Sequence, residues 1–133
     1  QGQELKIVTK KPLMDKLPQG FDAVATGPRS ISWRADVPAM LYWVEAQDGG
    51  DPKKEAAVRD KMYSLEAPFS GQPQEGISFA LRFRGVTWGK GDLALAYEGW
   101  WQNRRQVTSA WQPDKPCFLT VHQKTATMIR AAL

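Results

Sequence analysis

The sequence predicts an all-β fold of about two antiparallel, four-stranded units, and a repeat along the chain favours this fold. A short strand ending in Trp, a polar turn and a longer apolar strand occur twice. Trp33 corresponds to Trp88 at a spacing of 55 residues, and Leu41 corresponds to Leu95 at a spacing of 54. Strand repeats of this length are typical of propeller blades. The expected architecture is therefore an incomplete propeller of about two blades.

The composition is that of a folded β protein. The chain has 133 residues, the length of one domain, with 42% apolar residues and six Trp. Tryptophan fills large spaces between stacked sheets, and a disordered chain would contain fewer such side chains. No apolar run approaches the ~20 residues of a membrane-spanning helix, so we expect no membrane partner.

We divide the chain into four segments. Residues 1–29 form a partial strand, Glu4–Thr9, and a loop; residues 30–84 form blade one, residues 85–123 blade two, and residues 124–133 a tail. The tail contains no Gly or Pro, and a short helix is predicted there. The strands predicted for blade one are Ser30–Arg34, Met40–Ala46, Asp60–Ala67 and Ile77–Phe83. Those predicted for blade two are Val86–Trp88, Leu93–Trp101, Gln106–Trp111 and Phe118–His122.

Two of these strands have distinctive patterns. Met40–Ala46 is nearly all apolar and aromatic, as expected for a strand buried on both faces. A buried helix is the alternative, but the Tyr-Trp-Val run within the segment favours a strand. Ile77–Phe83 is predicted to be the outer strand of blade one, where Arg82 and Arg84 suit an exposed edge.

The charge pattern argues against a nucleic-acid partner. The net charge is +4 and the isoelectric point is near 9.3, which alone would suit an anionic partner. The basic residues are scattered, however, with doublets only at Lys10–Lys11, Lys53–Lys54 and Arg104–Arg105. Nucleic-acid-binding domains concentrate basic and aromatic residues on one face. We therefore expect a mixed, solvated surface.

A serine nucleophile is one candidate that the sequence raises. Residues 76–80 come close to the G-x-S-x-G elbow, and Ser78 is followed by Asp92 or Asp114 and then His122, in α/β-hydrolase order. The elbow requires a strand before the serine and a helix after it. Ser78 instead lies in an edge-strand pattern. The match is better explained by chance, and no catalytic residue is predicted.

Metal sites are equally incomplete. The turn from Asp48 to Asp51, with Glu55, offers oxygen ligands for Ca²⁺ but lacks the alternation of an EF-hand loop. Cys117 and His122 supply two ligands, whereas a structural zinc site needs four. We predict no metal and no cofactor.

Six arginines, several at predicted strand ends, are the residues most relevant to binding. They are Arg29, Arg34, Arg82, Arg84, Arg104 and Arg105. The guanidinium group is a forked donor for carboxylates, so we predict that Arg34, Arg82 and Arg84 contact an acidic peptide. The alternative is salt bridges to glutamates, namely Glu45, Glu66 and Glu98. Glu45 and Glu98 occupy near-equivalent repeat positions, which favours a structural role over a glycosidase pair.

Four stretches carry a resemblance to a known family: Gly27–Arg34, Glu45–Pro52, Lys61–Pro68 and Gly85–Trp101. They resemble the N-terminal β-propeller of the prolyl oligopeptidase family, in its glutamyl endopeptidase-like branch. The resemblance covers roughly residues 17–109, and the sequence departs from the family after Trp111. In that family a hydrolase domain with Ser, Asp and His follows the propeller, which caps the active site and restricts entry to peptides.

The resemblance implies a non-catalytic propeller segment of a peptidase that gates the access of peptide substrates. Its peptide partner would be reached through a hydrolase domain that this chain does not contain. The alternative is a stand-alone β-sheet binding or assembly module acting as a homo-oligomer, because two blades expose apolar faces and edges that favour self-association or strand swapping. The chain starts close to a strand-like segment and looks cut there, which a mature exported chain or an arbitrary boundary would both produce. From the first of these we expect an extracytoplasmic (periplasmic or secreted) location.

Overall fold

The structure, a computed structural model, describes residues 2–4, 6–7, 9–11, 13–90, 93–113 and 118–124. Within these residues, a 3₁₀ turn at Met14–Lys16 precedes eight strands. The first four are β1 (Arg29–Trp33), β2 (Met40–Ala46), β3 (Asp60–Glu66) and β4 (Gln74–Phe79). The next four are β5 (Arg82–Trp88), β6 (Ala94–Trp100), β7 (Arg105–Trp111) and β8 (Phe118–Lys124). The predicted all-β fold is confirmed.

The strands form two antiparallel sheets, in each of which the spatial order follows the chain. Sheet 1 has the order β1-β2-β3-β4, and sheet 2 has the order β5-β6-β7-β8. In sheet 1, β2 pairs with β3 without interruption, from Met40 opposite Glu66 to Ala46 opposite Asp60. Two successive four-stranded meanders are consistent with incomplete propeller blades.

The two sheets pack face to face around one apolar cluster. Sheet 1 contributes Val44, Met62 and Phe79, and sheet 2 contributes Ala94, Ala96 and Trp111, all buried. The small alanines of β6 leave room for large rings from neighbouring strands. Because these contacts cross between the sheets, the strands predicted at Met40–Ala46 and Leu93–Trp101 both contribute to the junction between the two units.

The two tryptophans that correspond in the repeat face opposite sides of their sheets. Trp33 is paired with Leu41 and is 56% exposed, on the face of sheet 1 that points away from sheet 2. Trp88 is paired with Ala94, whose side chain belongs to the core between the sheets, and it packs against that core. Side chains alternate along a strand, so the one-residue difference in repeat spacing reverses the face.

The strand predicted at Ile77–Phe83 is wrong in its bounds. The chain leaves sheet 1 after Phe79 and enters sheet 2 at Arg82. At this crossing, backbone N–H groups donate to side-chain carboxylates and not to a neighbouring strand. The N–H of Leu81 donates to Glu98 Oε1 at 3.0 Å, and the N–H of Phe83 donates to Asp60 Oδ2 at 2.6 Å. Buried N–H groups satisfied in this way no longer need a strand partner, so the chain can turn from one sheet to the next.

The predictions for the two ends of the chain have different outcomes. The strand predicted over Glu4–Thr9 is not formed at residues 4, 6–7 and 9, the part of that stretch that the structure describes. Lys124, the first residue of the tail for which a helix is predicted, is the last residue of β8, and the rest of that tail lies outside the described part of the chain. Across the described ranges, no helix is both long and apolar enough to cross a membrane.

Candidate functional site

Arg34, the first predicted contact, lies just after β1 and is buried. Its guanidinium forms a forked pair with Asp36, with Nε 3.0 Å from Oδ1 and Nη2 2.6 Å from Oδ2. The same group lies over the ring of Trp88, 4.8 Å from its centroid. Its donors are therefore directed at groups of the chain itself.

Arg82, the second predicted contact, begins β5 and is only 1% exposed, so it does not occupy the exposed edge that the sequence predicts. Nη1 donates to Asp60 Oδ1 and Nη2 donates to Asp48 Oδ2, each at 2.9 Å. Burial alone would lower the pKa of Arg82, but the hydrogen bond to Asp48 and the charge of Asp60 raise it above its ordinary value.

Two further arginines complete what we call the ionic cluster. Its members are Arg29, Asp48, Arg59, Asp60 and Arg82. Arg29 Nη2 lies 2.5 Å from Asp60 Oδ2, and Arg59 Nη1 lies 2.9 Å from Asp48 Oδ2. Burial would raise the pKa of Asp48, yet the hydrogen bonds from Arg82 and Arg59 hold that pKa below 3.8. The cluster joins β1, β3 and the β2–β3 loop of sheet 1 to β5 of sheet 2.

These pairs also show which acidic residues partner the arginines. The alternative predicted for the six arginines was salt bridges to Glu45, Glu66 and Glu98. Four of them pair instead with aspartates, namely Asp22, Asp36, Asp48 and Asp60, whereas the charge of Arg105 acts on Glu98. Glu45 and Glu98 also do not occupy equivalent faces. Glu45 follows Val44, a core residue, and so points away from sheet 2, whereas Glu98 shares the inner face of β6 with Ala96.

Arg84, the third predicted contact, is accessible. Its side chain is 45% exposed, and Nη2 forms an ion pair with Oδ1 of Asp22, whose side chain is almost completely buried. Arg84 lines an open cleft of about 910 Å³ at one end of sheet 2. The same cleft is also lined by Trp101, Arg104 and Thr108. Among the three predicted arginines, Arg84 is the one placed to meet a ligand.

An exposed aromatic stack marks the rim of this cleft. The rings of Phe21 and Trp101 lie 4.3 Å apart between centroids, and the guanidinium of Arg104 lies 3.3 Å from the Trp101 ring centroid. Phe21 and Trp101 also line a second concavity of about 640 Å³ that includes Lys53 and Lys54. The surface therefore combines aromatic faces with cations, an arrangement suited to peptides that carry acidic and apolar side chains.

Glu98 lies at the buried side of the cleft. Burial raises its pKa above 4.5, while the backbone hydrogen bond from Leu81 and the charge of Arg105 oppose that rise. A carboxyl with a raised pKa in a cleft is a candidate proton donor or acceptor. Its oxygen is already engaged with a backbone N–H that closes the crossing between sheets, which gives it a structural task.

The other sequence candidates do not assemble. Ser78 lies within β4, opposite Lys61, and not at the strand-to-helix turn that a nucleophile elbow requires. His122 lies in β8 on the other sheet, while Asp92, Asp114 and Cys117 lie outside the described residues. Asp48 is occupied by arginines, and no group of three metal-binding side chains occurs within the ranges that the structure describes.

Sequence reasoning missed the loop residues that complete the cleft. Phe21 and Asp22 lie in the loop predicted within residues 1–29, and the partners of Asp22 are 62 and 79 residues away. No local sequence pattern predicts contacts between residues so far apart in the chain. The Trp-Trp pair at residues 100–101 was the available signal, because Trp100 is buried at the end of β6 whereas Trp101 falls past that end and is exposed.

Comparisons with known proteins give two relatives. The chain is 43% identical over 116 residues to a protein of Oryza sativa subsp. japonica named probable glutamyl endopeptidase, chloroplastic, covering 86% of this chain and 12% of that protein. It is 40% identical over 114 residues to a protein of the same name from Arabidopsis thaliana, covering 84% of this chain and 12% of that protein. The chain thus spans about an eighth of these relatives and is related to a segment of proteins named as peptidases.

The remaining comparisons found no match. No known family profile matches the chain. No solved structure matches it either.

Proposed function

We propose that the chain is a non-catalytic β-propeller segment of a peptidase of the prolyl oligopeptidase family, which caps the active site and gates the access of peptide substrates. The observation that carries this proposal is the identity to proteins named glutamyl endopeptidase, which extends over both sheets. Two face-packed meanders are the element from which a propeller ring is built. The two relatives are named as chloroplastic, and the extracytoplasmic location expected from the sequence stays a prediction.

The cleft at Arg84 supports a role in contacting peptides. Its exposed guanidinium and the Phe21–Trp101 stack offer one donor for a carboxylate and one apolar platform. Contacts of Arg34 and Arg82 with an acidic peptide also stay predictions, but both groups are buried against carboxylates. Arg84 is therefore the residue on which the proposal is tested.

The test is a chimera in which this chain replaces the corresponding segment of the rice relative. We expect the chimera to hydrolyse a short fluorogenic peptide with glutamate before the reporter and to leave a folded protein substrate intact. Deleting the segment should abolish this discrimination, because a cap excludes folded chains by size. A chimera that hydrolyses the folded protein as fast as the short peptide would contradict the gating role.

A paired substitution separates peptide contact from folding. Arg84→Gln in the chimera is expected to raise KM for an acidic peptide several-fold while kcat stays unchanged, since a ground-state contact is lost. Lys61→Gln is the control, because Lys61 is also a cation paired with an acid, Glu75, but lies away from the cleft. Equal KM values for the two variants would remove Arg84 from the peptide path.

The hydrolase alternative has its own test. Ser78 lacks the elbow geometry, so we expect no adduct on Ser78 when the 133-residue chain is treated with a fluorophosphonate. Ser78→Ala provides the matched sample, and its labelling should equal that of the unchanged chain. An adduct lost on this substitution would mean that the chain is itself a hydrolase.

A further inference from the structure

Residues 20–24 cross from one sheet to the other without regular secondary structure, and we call them the strap. At one end the N–H of Val24 donates to the carbonyl of Gly50, in the β2–β3 loop, at 3.1 Å. In the middle the carbonyl of Asp22 accepts from Arg82 Nε at 2.9 Å. The strap is therefore attached to both sheets by individual hydrogen bonds and not by the ladder of a strand. Segments held in this way open locally at a much smaller free-energy cost than the core.

The carboxylate of Asp22 fills a cradle on sheet 2. One oxygen pairs with Arg84 Nη2, and the other accepts from the N–H of Trp101 at 2.6 Å. Asp22 adopts a φ of 64°, in the left-handed region that costs a non-glycine residue about 1 kcal/mol or more. The cradle thus holds the strap in a conformation that its backbone alone does not favour.

The position of the strap relates it to access. The cleft of about 910 Å³ and the concavity of about 640 Å³ share Phe21, Asp22 and Trp101, so the strap divides one longer depression. Gly20 is the first residue of the strap and Gly27 lies three residues beyond its end, with φ values of 112° and 84°, and Gly20 has open space beside it. Glycine adopts these angles without strain, which suits both positions to act as hinges.

We propose that the strap is an autoinhibitory latch: Asp22 occupies a carboxylate-binding cradle formed by Arg84 and the Trp101 N–H, and an external carboxylate takes its place when the strap opens. An intramolecular carboxylate competes at an effective concentration in the millimolar range or above, so the closed state resists weak ligands. Opening joins the two concavities and frees Arg84. The latch adds regulation to the peptide contact proposed above, but it is measured on this chain without a peptidase.

Hydrogen exchange measured by NMR on the 133-residue chain tests the opening. Asp22→Asn tolerates the left-handed backbone and removes the charge from the cradle. We expect the amides of Trp101 and Val24 to exchange about tenfold faster or more, because a charge-assisted bond is lost, while the amides of Val44 and Ala96 stay unchanged. Glu75→Gln, which removes a paired carboxylate from sheet 1, should change neither set. Should Asp22→Asn fail to fold, Arg84→Gln breaks the same pair from the sheet side.

Acetate tests the cradle directly, with chloride at equal ionic strength as the comparison. Acetate should shift the Trp101 amide resonance until the shift saturates. The affinity for acetate derived from this shift should be higher in Asp22→Asn than in the unchanged chain, and Arg84→Gln should show no shift. A peptide with blocked ends and one aspartate tests whether the carboxylate comes from a peptide side chain. Tighter binding of this peptide than of acetate would mean that the cradle recognises peptide side chains. Equal affinity would mean that it binds carboxylates in general. The latch is overturned if the strap amides open only together with the core, or if acetate and chloride act alike.

Discussion

Arg82 neutralises two carboxylates that are completely removed from water, Asp48 and Asp60. Arg82→Gln would leave both acids with less cationic compensation in a region of low polarity, and breaking a buried pair in this way costs about 3–5 kcal/mol of unfolding free energy. Urea denaturation followed by circular dichroism measures the change. Lys61→Gln, which breaks the exposed pair with Glu75, should leave the midpoint unchanged. Similar losses in both variants would mean that burial of the cluster adds nothing.

Glu98 gives the stability of the protein a pH dependence of a particular sign. Because burial raises its pKa above 4.5 in the folded state, its contribution is complete below pH 4.5 and is lost as the pH rises through the raised value. Glu98→Gln keeps an acceptor for the Leu81 N–H and cannot ionise. We expect the variant to gain stability relative to the unchanged chain as the pH rises from 4 to 7, measured by urea midpoints across that range. A difference that stays constant with pH would contradict the assignment.

Residue partners were the least predictable level of the structure. The arginine-rich set was visible in the sequence, but Arg82 reaches Asp60 and Asp48 across 22 and 34 residues. A guanidinium looks the same in sequence whether it faces solvent or two buried acids. Whether Arg82 is exposed or buried depends on how the two sheets pack together, and no local sequence pattern contains that information. The sequence therefore predicts an exposed edge position for Arg82.

At the scale of strands, the two tryptophans of the repeat provide an internal comparison. Trp88 packs against Tyr42 and Trp111, with ring centroids 5.2 and 5.5 Å apart, whereas Trp33 is half exposed. Trp88→Ala should cost about 3–5 kcal/mol, because it leaves a cavity between the sheets. Trp33→Ala at the matching repeat position should cost far less. Thermal and urea unfolding of both variants measure the loss of unfolding free energy. Equal losses would show that this loss depends on the position in the repeat and not on the face of the sheet.

The sequence pattern located strands well where burial alternates or is continuous, and less well where the chain changes sheets. Met40–Ala46 was predicted with its observed bounds because a run of β-branched and aromatic residues is itself the signal. The crossing at residues 80–81 was missed. It depends on carboxylates from Asp60 and Glu98 that capture backbone N–H groups from outside the strand. Such captures require the folded sheets to exist.

At the scale of the whole molecule, an apolar core, the ionic cluster and the strap each join the two sheets within the described residues. The apolar core between them is non-directional, the ionic cluster fixes their mutual orientation at one end, and the strap crosses the same end outside both. The core and cluster are buried, whereas the strap is held at its outer side by the accessible Arg84. The molecule therefore combines a buried junction with a segment that is held from outside by an accessible ion pair, which is the arrangement that the proposed latch uses.

The face of sheet 1 that points away from sheet 2 bears on the alternative of an assembly module. It carries Trp33, 56% exposed, on an edge strand whose outer side has no partner in the described residues.

Exposed aromatic surface beside an open edge favours association, so we expect a sedimentation coefficient that rises with concentration across the micromolar range. Trp33→Lys should shift the chain toward the monomer, since a charge opposes burial of that face. Leu93→Lys, at an exposed apolar residue just before β6, should not. A monomer at every concentration would remove the assembly module and leave the peptidase segment as the remaining proposal, whereas a discrete oligomer lost only on Trp33→Lys would favour it.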